Sequence, residues 1–320
     1  MFNRFCIFLL ATAIAALAGA ANAQVYPNKP LRFIVTQGPG GSSDLFARTV
    51  AKKLGESLGQ PVVVENRAGA EGIVGTEVAA KSPADGYTIL FSANSVLTQN
   101  PFLYKKLPYD ALKDFEPITL LGYVTYGIFV NPNVKANTLK EFIGLAKASP
   151  GKLNYGAGGT TARIGTEMFN QATGIKMTFV PYKSNPTALT DLIGGQIDMM
   201  LFPLVAAPYV KTGQLKLLAV HAPVRASQLP DTPTTSEAGV TNFEFSGWGA
   251  IHAPAGVPKD RLQKLNSELV KILAMTDVIE AGRLVGFEPQ SSTPEQLDAL
   301  VKSDTARYAK AIKEAGIPQE

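Results

Sequence analysis

The sequence predicts an α/β protein with two lobes, each a mainly parallel sheet flanked by helices, and three observations carry this prediction. Strand-like and helix-like segments alternate twice along the chain, in two units of similar size. A stretch with little periodicity, residues 100–121, separates these units. The chain has 320 residues, of which 46% are hydrophobic, and this is long enough for two domains of ordinary size.

The first unit alternates strand and helix from its start. Apolar side chains recur at helical spacing until Gly59, and Pro83 follows the second helix. The predicted elements are a strand at Leu31–Thr36, a helix at 44–59, a strand at 61–66, a helix at 72–82 and a strand at Tyr87–Ala93. Alternation at these lengths indicates a parallel sheet with right-handed crossovers.

The second unit repeats this alternation. Thr138 and Glu141 form a predicted capping box at a helix start, and Gly174 is a helix stop. The predicted elements are a strand at 126–132, a helix at 138–149, a strand at 152–156, a helix at 161–174, a strand at 176–182, a helix at 185–195, and strands at 197–202 and 214–220.

The C-terminal part does not continue the alternation and is mainly helical. Its predicted elements are a strand at 246–256, a helix at 258–274 and a long helix at 293–316. Thr293 is the predicted N-cap of the long helix and Pro294 its first residue. Late helices of this kind commonly fold back onto the first domain. We therefore expect residues 24–122 and 243–320 to form lobe I and residues 123–242 to form lobe II.

The first 23 residues are predicted to be a signal peptide and not part of the fold. A positive start, "MFNR", precedes an apolar run, and Ala21-Asn22-Ala23 is an A-x-A cleavage site before Gln24. A retained anchor is the alternative, but the apolar run is short for a membrane span. Cys6, the only cysteine, lies in this segment. The expectation is a free, monomeric, exported protein without disulfides, cofactor or metal site.

Charge patterning argues against nucleic acid as a partner. The net charge is +4, and the basic residues are dispersed along the chain. Nucleic-acid binding favours a basic stripe with aromatic partners, and the sequence has none. A slightly basic exported protein is compatible with an acidic ligand.

The stretch "GPGGSSD", Gly38–Asp44, follows a strand and opens a helix. A Walker A loop would need a lysine that is absent, and the dinucleotide fingerprint fails because Ser43 stands at its sixth position. A glycine turn and a helix N-terminus still offer unsatisfied N–H groups and a partial positive charge. The stretch is therefore either an anion site or a tight turn with a capping serine.

A second loop of this kind, "YGAGGTTAR", ends at Arg163 and also lies between a strand and a helix. Its glycines allow close approach to the backbone, Thr160 and Thr161 offer hydroxyls, and Arg163 is able to pair with a carboxylate or to lie at the surface. Ligands of open α/β sheets bind beyond the carboxyl ends of strands. One such loop in each lobe predicts an anion clamped in the cleft between them.

Other side chains are candidates for the pocket, each with a structural alternative. Tyr182 lies at a strand end, Phe202 is either core or pocket wall, and Asp198 is a possible carboxylate partner of Asp191. The complete predicted ligand-binding set is Gly38, Pro39, Gly40, Gly41, Ser42, Ser43, Asp44, Ser92, Asn94, Gly159, Thr160, Thr161, Arg163, Tyr182, Asp198 and Phe202.

Catalytic motifs are scarce. The chain has two histidines, His221 and His252, and contains none of the patterns H-E-x-x-H, G-x-S-x-G or C-x-x-C. A Ser-His-Asp set assembled by folding stays open, because triads are defined by geometry. We do not expect an enzyme.

Several ordered motifs resemble the Bug family, also called the TctC family, the extracytoplasmic solute receptors of tripartite tricarboxylate transporters. They run from about Tyr26 to the C-terminus and include "GPGGSSD", "LGQPVVVENRAGAEGIVG", "SPADGYTIL", "LPYDALKDFEPIT", "SPGKLNYG", "VPYKSNPTALTDLIGGQID" and "LPDTPTTSEAG". The resemblance implies a type II-like periplasmic binding protein whose two lobes are joined by crossing strands, with the ligand in the cleft between them.

The same resemblance implies a ligand and partners. The ligand would be a small carboxylate, such as a di- or tricarboxylate or an aromatic acid, held by main-chain groups and ordered waters at Gly38–Asp44 and Gly158–Arg163. The receptor would deliver it to permease subunits of the TctA/TctB type. The alternatives are a module that senses the ligand for the ectodomain of a sensor kinase and, less favoured, a periplasmic hydrolase.

This sequence departs from the family pattern near the expected pocket. Arg163 stands where a histidine is common, Ser184 where a glycine is frequent, and Phe202 where an aspartate is common. The hypothesis is that losing an acid at position 202 disfavours ligands with an ammonium group. Arg163 would then favour a second carboxylate or an aromatic acid.

Overall fold

Two sheets organise the computed structural model, which describes residues 26–182, 184–222, 224–226 and 228–319. The predicted signal peptide lies outside the described residues, together with Cys6 and the expected cleavage site. Lys183, beside Tyr182, also lies outside them. Within those residues, every helix is too short or too polar to span a membrane.

The strands and helices in chain order give the frame for the site. The strands are β1 Leu31–Val35, β2 Val62–Asn66, β3 Thr88–Ala93, β4 Phe115–Val124, β5 Tyr126–Val130, β6 Asn154–Ala157, β7 Thr178–Pro181, β8 Met199–Pro203, β9 Lys216–His221, β10 Gly247–Pro254 and β11 Phe287–Pro289. The helices are α1 Ser42–Leu58, α2 Ile73–Ala80, α3 Asn94–Thr98, α4 Asn100–Leu103, α5 Leu139–Ala148, α6 Thr160–Thr173, α7 Asn185–Gly194, α8 Ala207–Lys211, α9 Lys259–Leu273, α10 Thr276–Leu284 and α11 Pro294–Glu314. Short 3₁₀ turns occur at Ala70–Gly72 and Leu204–Ala206.

Both sheets are mixed, but most of their strands run in one direction. The first sheet has the order β11-β4-β10-β3-β1-β2 and the second the order β7-β6-β8-β5-β9. Strands β1 to β3 pair in parallel, whereas β10 and β11 lie antiparallel to their neighbours. In the second sheet, β5 is antiparallel to β8 and β9, and β6 is parallel to β7 and β8. The α/β class and the two alternating units are as the sequence predicts.

Each sheet is buried on both faces, as expected for an α/β layer architecture. In β1, Phe33 belongs to a cluster with Phe46 of α1, while its neighbour Ile34 belongs to a cluster with Trp248 on the opposite face. This alternation follows from the period of two residues along a strand. In β8, Leu201 and Phe202 are divided between two clusters in the same way.

Helix termini follow the sequence signals closely. Thr293 accepts a hydrogen bond from the Gln296 amide in a complete capping box, and Pro294 occupies the first turn of α11. The Thr138 side chain accepts from Glu141 N at 3.2 Å. The Glu141 carboxylate accepts from Asn137 N at 2.7 Å, one residue before the predicted capping-box partner.

The region of weak periodicity contains elements that the sequence analysis misses. No element was predicted in residues 100–121, where periodicity is weak, but β4 begins at Phe115 and runs between β10 and β11. Its side chains from Ile118 to Leu121 are buried without alternation, and Pro117 interrupts the strand pattern. Because its burial is set by two later strands, local periodicity does not reveal it. The short α10 and β11 were also missed.

Two chain segments join the lobes. Only Thr125 separates β4 from β5, so one continuous segment passes from the first sheet to the second. The return segment enters β10 at Gly247, and the rings of Tyr126 and Phe245 pack edge to face at 4.9 Å between centroids. A Cβ on Gly247 would lie 2.5 Å from the Tyr126 ring, so only glycine lets the two segments approach this closely.

The long helix α11 contacts both lobes. Leu297 and Val301 pack in a cluster of the first sheet, whereas Tyr308 and Ile312 pack in a cluster of the second. Between these two ends lies Asp304, which is 2% exposed.

Asp304 connects α11 to the start of β10. Its carboxylate accepts hydrogen bonds from Trp248 Nε1 at 2.7 Å and Ser246 Oγ at 3.2 Å, and it pairs with Arg307 at 2.7 Å. A buried carboxylate with this many donors fixes the helix against the return segment that enters β10.

We expect Asp304→Ala to lower the free energy of unfolding by about 2–4 kcal/mol, because it leaves the buried Trp248 Nε1 and the Arg307 guanidinium without their partner. Urea unfolding followed by the fluorescence of Trp248 measures this change. The control is Asp298→Ala on the same helix, which removes a surface pair with Lys302 and should change stability by less than about 1 kcal/mol. Equal effects of the two variants would contradict a structural role for Asp304.

Candidate functional site

The carboxyl ends of the central strands in the two sheets face each other across the lobe junction. At the end of β4, Val124 pairs with Gly247, and at the start of β5, Tyr126 pairs with Pro203 at the carboxyl end of β8. Since Thr125 alone lies between these two strands, the two sheet edges meet there. The loops after β1 and β6, which the sequence predicts as ligand loops, both leave from these edges.

The first loop opens α1 without a side-chain cap. Gly41 is the N-cap residue, and among the described residues no side-chain cap hydrogen bond is made at this helix start. Gly40 has φ +81°, a conformation that favours glycine. In the described part of the chain, apart from the adjacent residues, no atom lies within 4 Å of the position of a Cβ on Gly38 or Gly40. The main-chain N–H groups at Ser42 and Ser43 are therefore suited to an anion.

The Asp44 side chain folds back onto the first loop and accepts a hydrogen bond from its backbone. It is 2% exposed and accepts from Gly40 N at 2.8 Å and Asn66 Nδ2 at 2.9 Å, and it pairs with Arg48 at 2.9 Å. Burial acts to raise the pKa of Asp44, but the hydrogen bonds from Arg48, Gly40 and Asn66 outweigh it and hold the pKa below its usual value. The Asp44 carboxylate thus shapes the turn, and Arg48 balances its charge.

The second loop opens α6 in the same manner. Gly159 is its N-cap residue, again without a side-chain cap. Gly158 N donates to Asn185 Oδ1 at 2.9 Å, and a Cβ on Gly158 would lie 1.9 Å from the carbonyl carbon of Ser184. The loop is therefore packed directly against the start of α7, and only glycine fits at this position.

Two contacts cross from lobe I to the start of α6. Thr161 Oγ1 donates to Gln99 Oε1 at 3.1 Å, and Thr160 N lies 3.5 Å from Glu71 Oε2. Gln99 lies between α3 and α4, and Glu71 lies in the 3₁₀ turn before α2. Neither residue is in the set predicted from sequence. The polar pair Gln99-Asn100 inside an apolar stretch, and a glutamate between glycines, were the available signals.

Buried polar atoms without partners gather around these contacts. Among the described residues, Thr36 Oγ1, Gln37 Oε1, Gln99 Nε2 and Asn100 Oδ1 have no hydrogen-bond partner. Thr36 is 2% exposed, and Gln99 and Asn100 are fully buried. A buried polar group without a partner is costly, so such groups mark positions where a polar ligand or a water is favoured.

Position links these atoms to the two loops. Thr36 and Gln37 directly precede the first loop, and Gln99 already contacts the second through Thr161. Asn100 Nδ2 donates to the carbonyl of Glu71 at 3.2 Å. The helix starts and the unpartnered atoms therefore belong to one region at the lobe junction.

Several predicted site residues have other partners. Ser92 is buried between β3 and β10, where it lies 2.7 Å from His252 Nδ1. Asn94 is 3% exposed and donates to the carbonyl of Ser246 at 3.1 Å. Both side chains are thus committed to the interior of lobe I and its hinge.

The predicted residues of lobe II are also dispersed. Asp198 precedes β8 and accepts from Asn154 N at 2.8 Å, at the sheet edge opposite the loops. The Tyr182 hydroxyl donates to Asp191 Oδ2 at 2.8 Å, so the two aspartates do not form a carboxylate pair with each other. Burial and this hydrogen bond raise the pKa of Tyr182 to about 12.

Two of the three departures from the family pattern, at Phe202 and Arg163, have partners within lobe II. Phe202 is 7% exposed and packs in a cluster with Phe129 and Leu192. The Arg163 guanidinium lies over the Phe179 ring, 4.6 Å from its centroid. These contacts give no support to the hypothesis that Phe202 disfavours ligands with an ammonium group or that Arg163 favours a second carboxylate.

The Ser92–His252 pair is not accessible to a substrate. Ser92 is fully buried, His252 is 3% exposed, and Ser92 Oγ also donates to the carbonyl of Ala250 at 3.2 Å. Burial lowers the pKa of His252 to about 3, so the imidazole is neutral at physiological pH. The pair acts as a core contact between two strands.

A cavity of about 660 Å³ is lined by Thr125 and Gly247 of the lobe junction and by residues of β11, but by no residue of the two predicted ligand loops. Its lining includes Phe243, Phe245 and Phe287, and its charged side chains are already engaged, since Arg225 pairs with Glu237 and Arg283 with Glu288. Its volume is suitable for a ligand. No cluster of three or more potential metal-ligating side chains occurs within the described ranges.

Comparisons with known proteins give consistent matches over nearly the whole chain. The model of TctC, the tripartite tricarboxylate transporter family receptor, matches residues 46–317. Protein BugT of Bordetella pertussis is 37% identical over 309 residues, which cover 95% of this chain and 94% of BugT. The structure of R. palustris Rpa4515 with adipate has a TM-score of 0.84 at 30% identity and covers 92% of this chain and 100% of that one. MatC from Rhodopseudomonas palustris, with bound malate, has a TM-score of 0.78 at 27% identity and covers 90% of this chain and 100% of that one.

We expect Gly158→Ala to destabilise the protein by about 2–3 kcal/mol, since the new methyl group would overlap the backbone at Ser184. The matched control is Gly144→Ala in α5, where no atom lies within 4 Å of the new Cβ. That variant should gain about 0.5–1 kcal/mol from the higher helix propensity of alanine. Chemical unfolding of both variants measures the difference, and a loss at position 144 equal to that at 158 would contradict the packing described for the second loop.

The free energy of unfolding should fall as the pH decreases from about 6.5, because His252 binds a proton in the unfolded chain but stays neutral in the folded one. Above about pH 6.5, the pKa of histidine in the unfolded chain, His252 is neutral in both states and does not reduce stability. Between that pH and the folded pKa of about 3, the free energy of unfolding falls by up to about 1.4 kcal/mol per pH unit. The pKa of His221 is also lowered by burial, so the wild type is compared with His252→Gln. The difference between the two proteins gives the pH dependence that is due to His252 alone. Parallel stability curves for the two proteins between pH 6.5 and about 4.5 would contradict it.

Proposed function

Because the chain belongs to the TctC family of tripartite tricarboxylate transporter receptors, we propose that it binds a small carboxylate between its lobes in the periplasm. The observation that carries this proposal is the pair of uncapped helix N-termini, at Ser42 and Thr160, that leave the facing edges of the two sheets. The protein would be exported, cleaved after Ala23, and would deliver its ligand to permease subunits of the TctA/TctB type.

The chemistry of the junction favours a carboxylate over a cation. Main-chain N–H groups at a helix start donate hydrogen bonds and carry partial positive charge. The unpartnered Gln99 Nε2 adds a donor from lobe I, while Thr36 and Asn100 add polar atoms that accept from a ligand hydroxyl or from water.

Neutral donors also suit a receptor that must release its ligand. Near the first loop, the Arg48 guanidinium is already paired with the buried Asp44. A carboxylate held by amides is stabilised without a fixed counter-ion, and opening of the lobes would remove part of the donor set at once. Hinge motion about Thr125 and Gly247 would then couple binding to closure.

Dicarboxylates are the favoured ligand class. Each lobe contributes one helix start, so two carboxylates, or one carboxylate and one polar group, have separate donors. The related structures with adipate and malate bind acids of this kind. Micromolar binding, about −8 kcal/mol, would be sufficient for uptake from dilute solution.

Ser42→Pro tests the first helix start directly. Proline removes the Ser42 N–H but is well tolerated as the first residue of a helix, and Gly41 already has the extended backbone that precedes proline. Losing one charge-assisted hydrogen bond should weaken the binding of adipate or malate by about 10- to 100-fold, with little change in the melting temperature without ligand. Isothermal titration calorimetry and thermal-shift assays measure the two quantities.

Two controls accompany this variant. Lys259→Pro places proline at the first residue of α9 in lobe I, after Pro258 and away from the lobe junction, and should leave binding unchanged. Ser42→Ala separates the hydroxyl from the amide. If Ser42→Pro bound the acid as tightly as the wild type, the first helix start would not be part of the site.

A further inference from the structure

Glu71 lies in an unusual backbone conformation beside the lobe junction. Ala70 and Glu71 have φ values of +44° and +51°, in the left-handed region that non-glycine residues seldom adopt. The turn is held from both sides, because Asn100 Nδ2 donates to the Glu71 carbonyl at 3.2 Å and Gly72 packs against Val96 and Thr36. A strained backbone that its surroundings hold in place is typical of a functional position.

The strained turn directs the Glu71 carboxylate towards the other lobe. Oε2 lies 3.5 Å from Thr160 N and 3.7 Å from the position of a Cβ on Gly159. These two residues form the uncapped start of the 14-residue helix α6. A carboxylate of lobe I thus lies at the same amide that the proposed ligand would use in lobe II.

We propose that Glu71 is an internal competitor of the ligand and sets the affinity and specificity of the site. This inference rests on the proposed function, in which a carboxylate binds at the start of α6. The Glu71 carboxylate holds the lobes together when no ligand is bound, and an incoming carboxylate replaces it at Thr160 N. Only acids whose interactions exceed those of Glu71 are retained.

The two contacts between the lobes differ in charge, so the role of Glu71 is testable separately from that of Gln99. Thr161 and Gln99 form a neutral hydrogen bond, whereas the contact of Glu71 with the helix start depends on charge. Removing the charge of Glu71 should therefore weaken the closed form without ligand and leave the neutral contact in place. The fraction of the receptor that is able to bind ligand then increases, and the apparent affinity for the ligand increases with it.

The test uses Glu71→Gln, which retains the size of the side chain and removes its charge, and Glu71→Gly, which also suits the positive φ. Glu56→Gln on the exposed face of α1 is the matched control. Adipate and malate are the probes in calorimetric titrations. We expect both Glu71 variants to bind at least one of these acids about two- to fivefold more tightly than the wild type, the size of one exposed charge-assisted hydrogen bond.

A second measurement does not depend on ligand. The chain contains no cysteine after Cys6, so a single spin-label pair is introduced at the exposed positions Lys52→Cys and Lys140→Cys, one in each lobe. Electron–electron resonance should show a broader distance distribution without ligand in Glu71→Gln than in the wild type or Glu56→Gln.

The outcomes separate this inference from the proposed function. Weaker or unchanged binding of both acids in the Glu71 variants overturns the inference, even if the acids bind. If neither acid binds any variant, the proposed ligand class fails, and the distance distribution alone decides whether Glu71 holds the lobes. An unchanged distribution then overturns the inference as well.

Discussion

A carboxylate that leaves water for a protein cleft must regain its hydrogen bonds, and this requirement organises the proposed site. Burial of a charged group without donors is strongly unfavourable. The two lobes provide donors from the backbone itself, at the starts of α1 and α6, where helix geometry leaves N–H groups unpaired. The rest of the structure holds the loops that lead into these two helix starts.

Different devices hold the two helix starts. At the first, the buried Asp44 binds the turn from within, and its charge is balanced by Arg48. At the second, Gly158 packs directly against the start of α7, with Asn185 accepting its amide. Asp44 fixes the first loop without accepting from an amide in the first turn of α1, whereas in the second loop the Thr160 amide lies 3.5 Å from Glu71 Oε2. Since Thr125 alone separates β4 from β5, we propose that the lobes move about this point and that the donor set is complete only when they close.

The sequence predicts the fold and the two loops well because their signals are local. Hydrophobic periodicity and glycine placement reveal the alternating units and the helix starts. The roles of individual side chains are harder to predict, since partners distant in sequence determine them. Ser92 looked like a pocket residue until the fold placed it against His252, 160 positions away. Glu71 gave little sequence signal, and its position becomes informative only through its contact with Thr160 across the lobe junction. Strand β4 was missed because two later strands bury it.

The most direct test of the account is a crystal structure of the protein with a bound dicarboxylate, with the ligand confirmed by native mass spectrometry. The account predicts carboxylate oxygens within about 3.2 Å of the main-chain nitrogens at the starts of α1 and α6, with the Glu71 carboxylate displaced from Thr160. A dicarboxylate bound instead in the cavity at the hinge, or held mainly by arginine side chains with the two helix starts unoccupied, would contradict it.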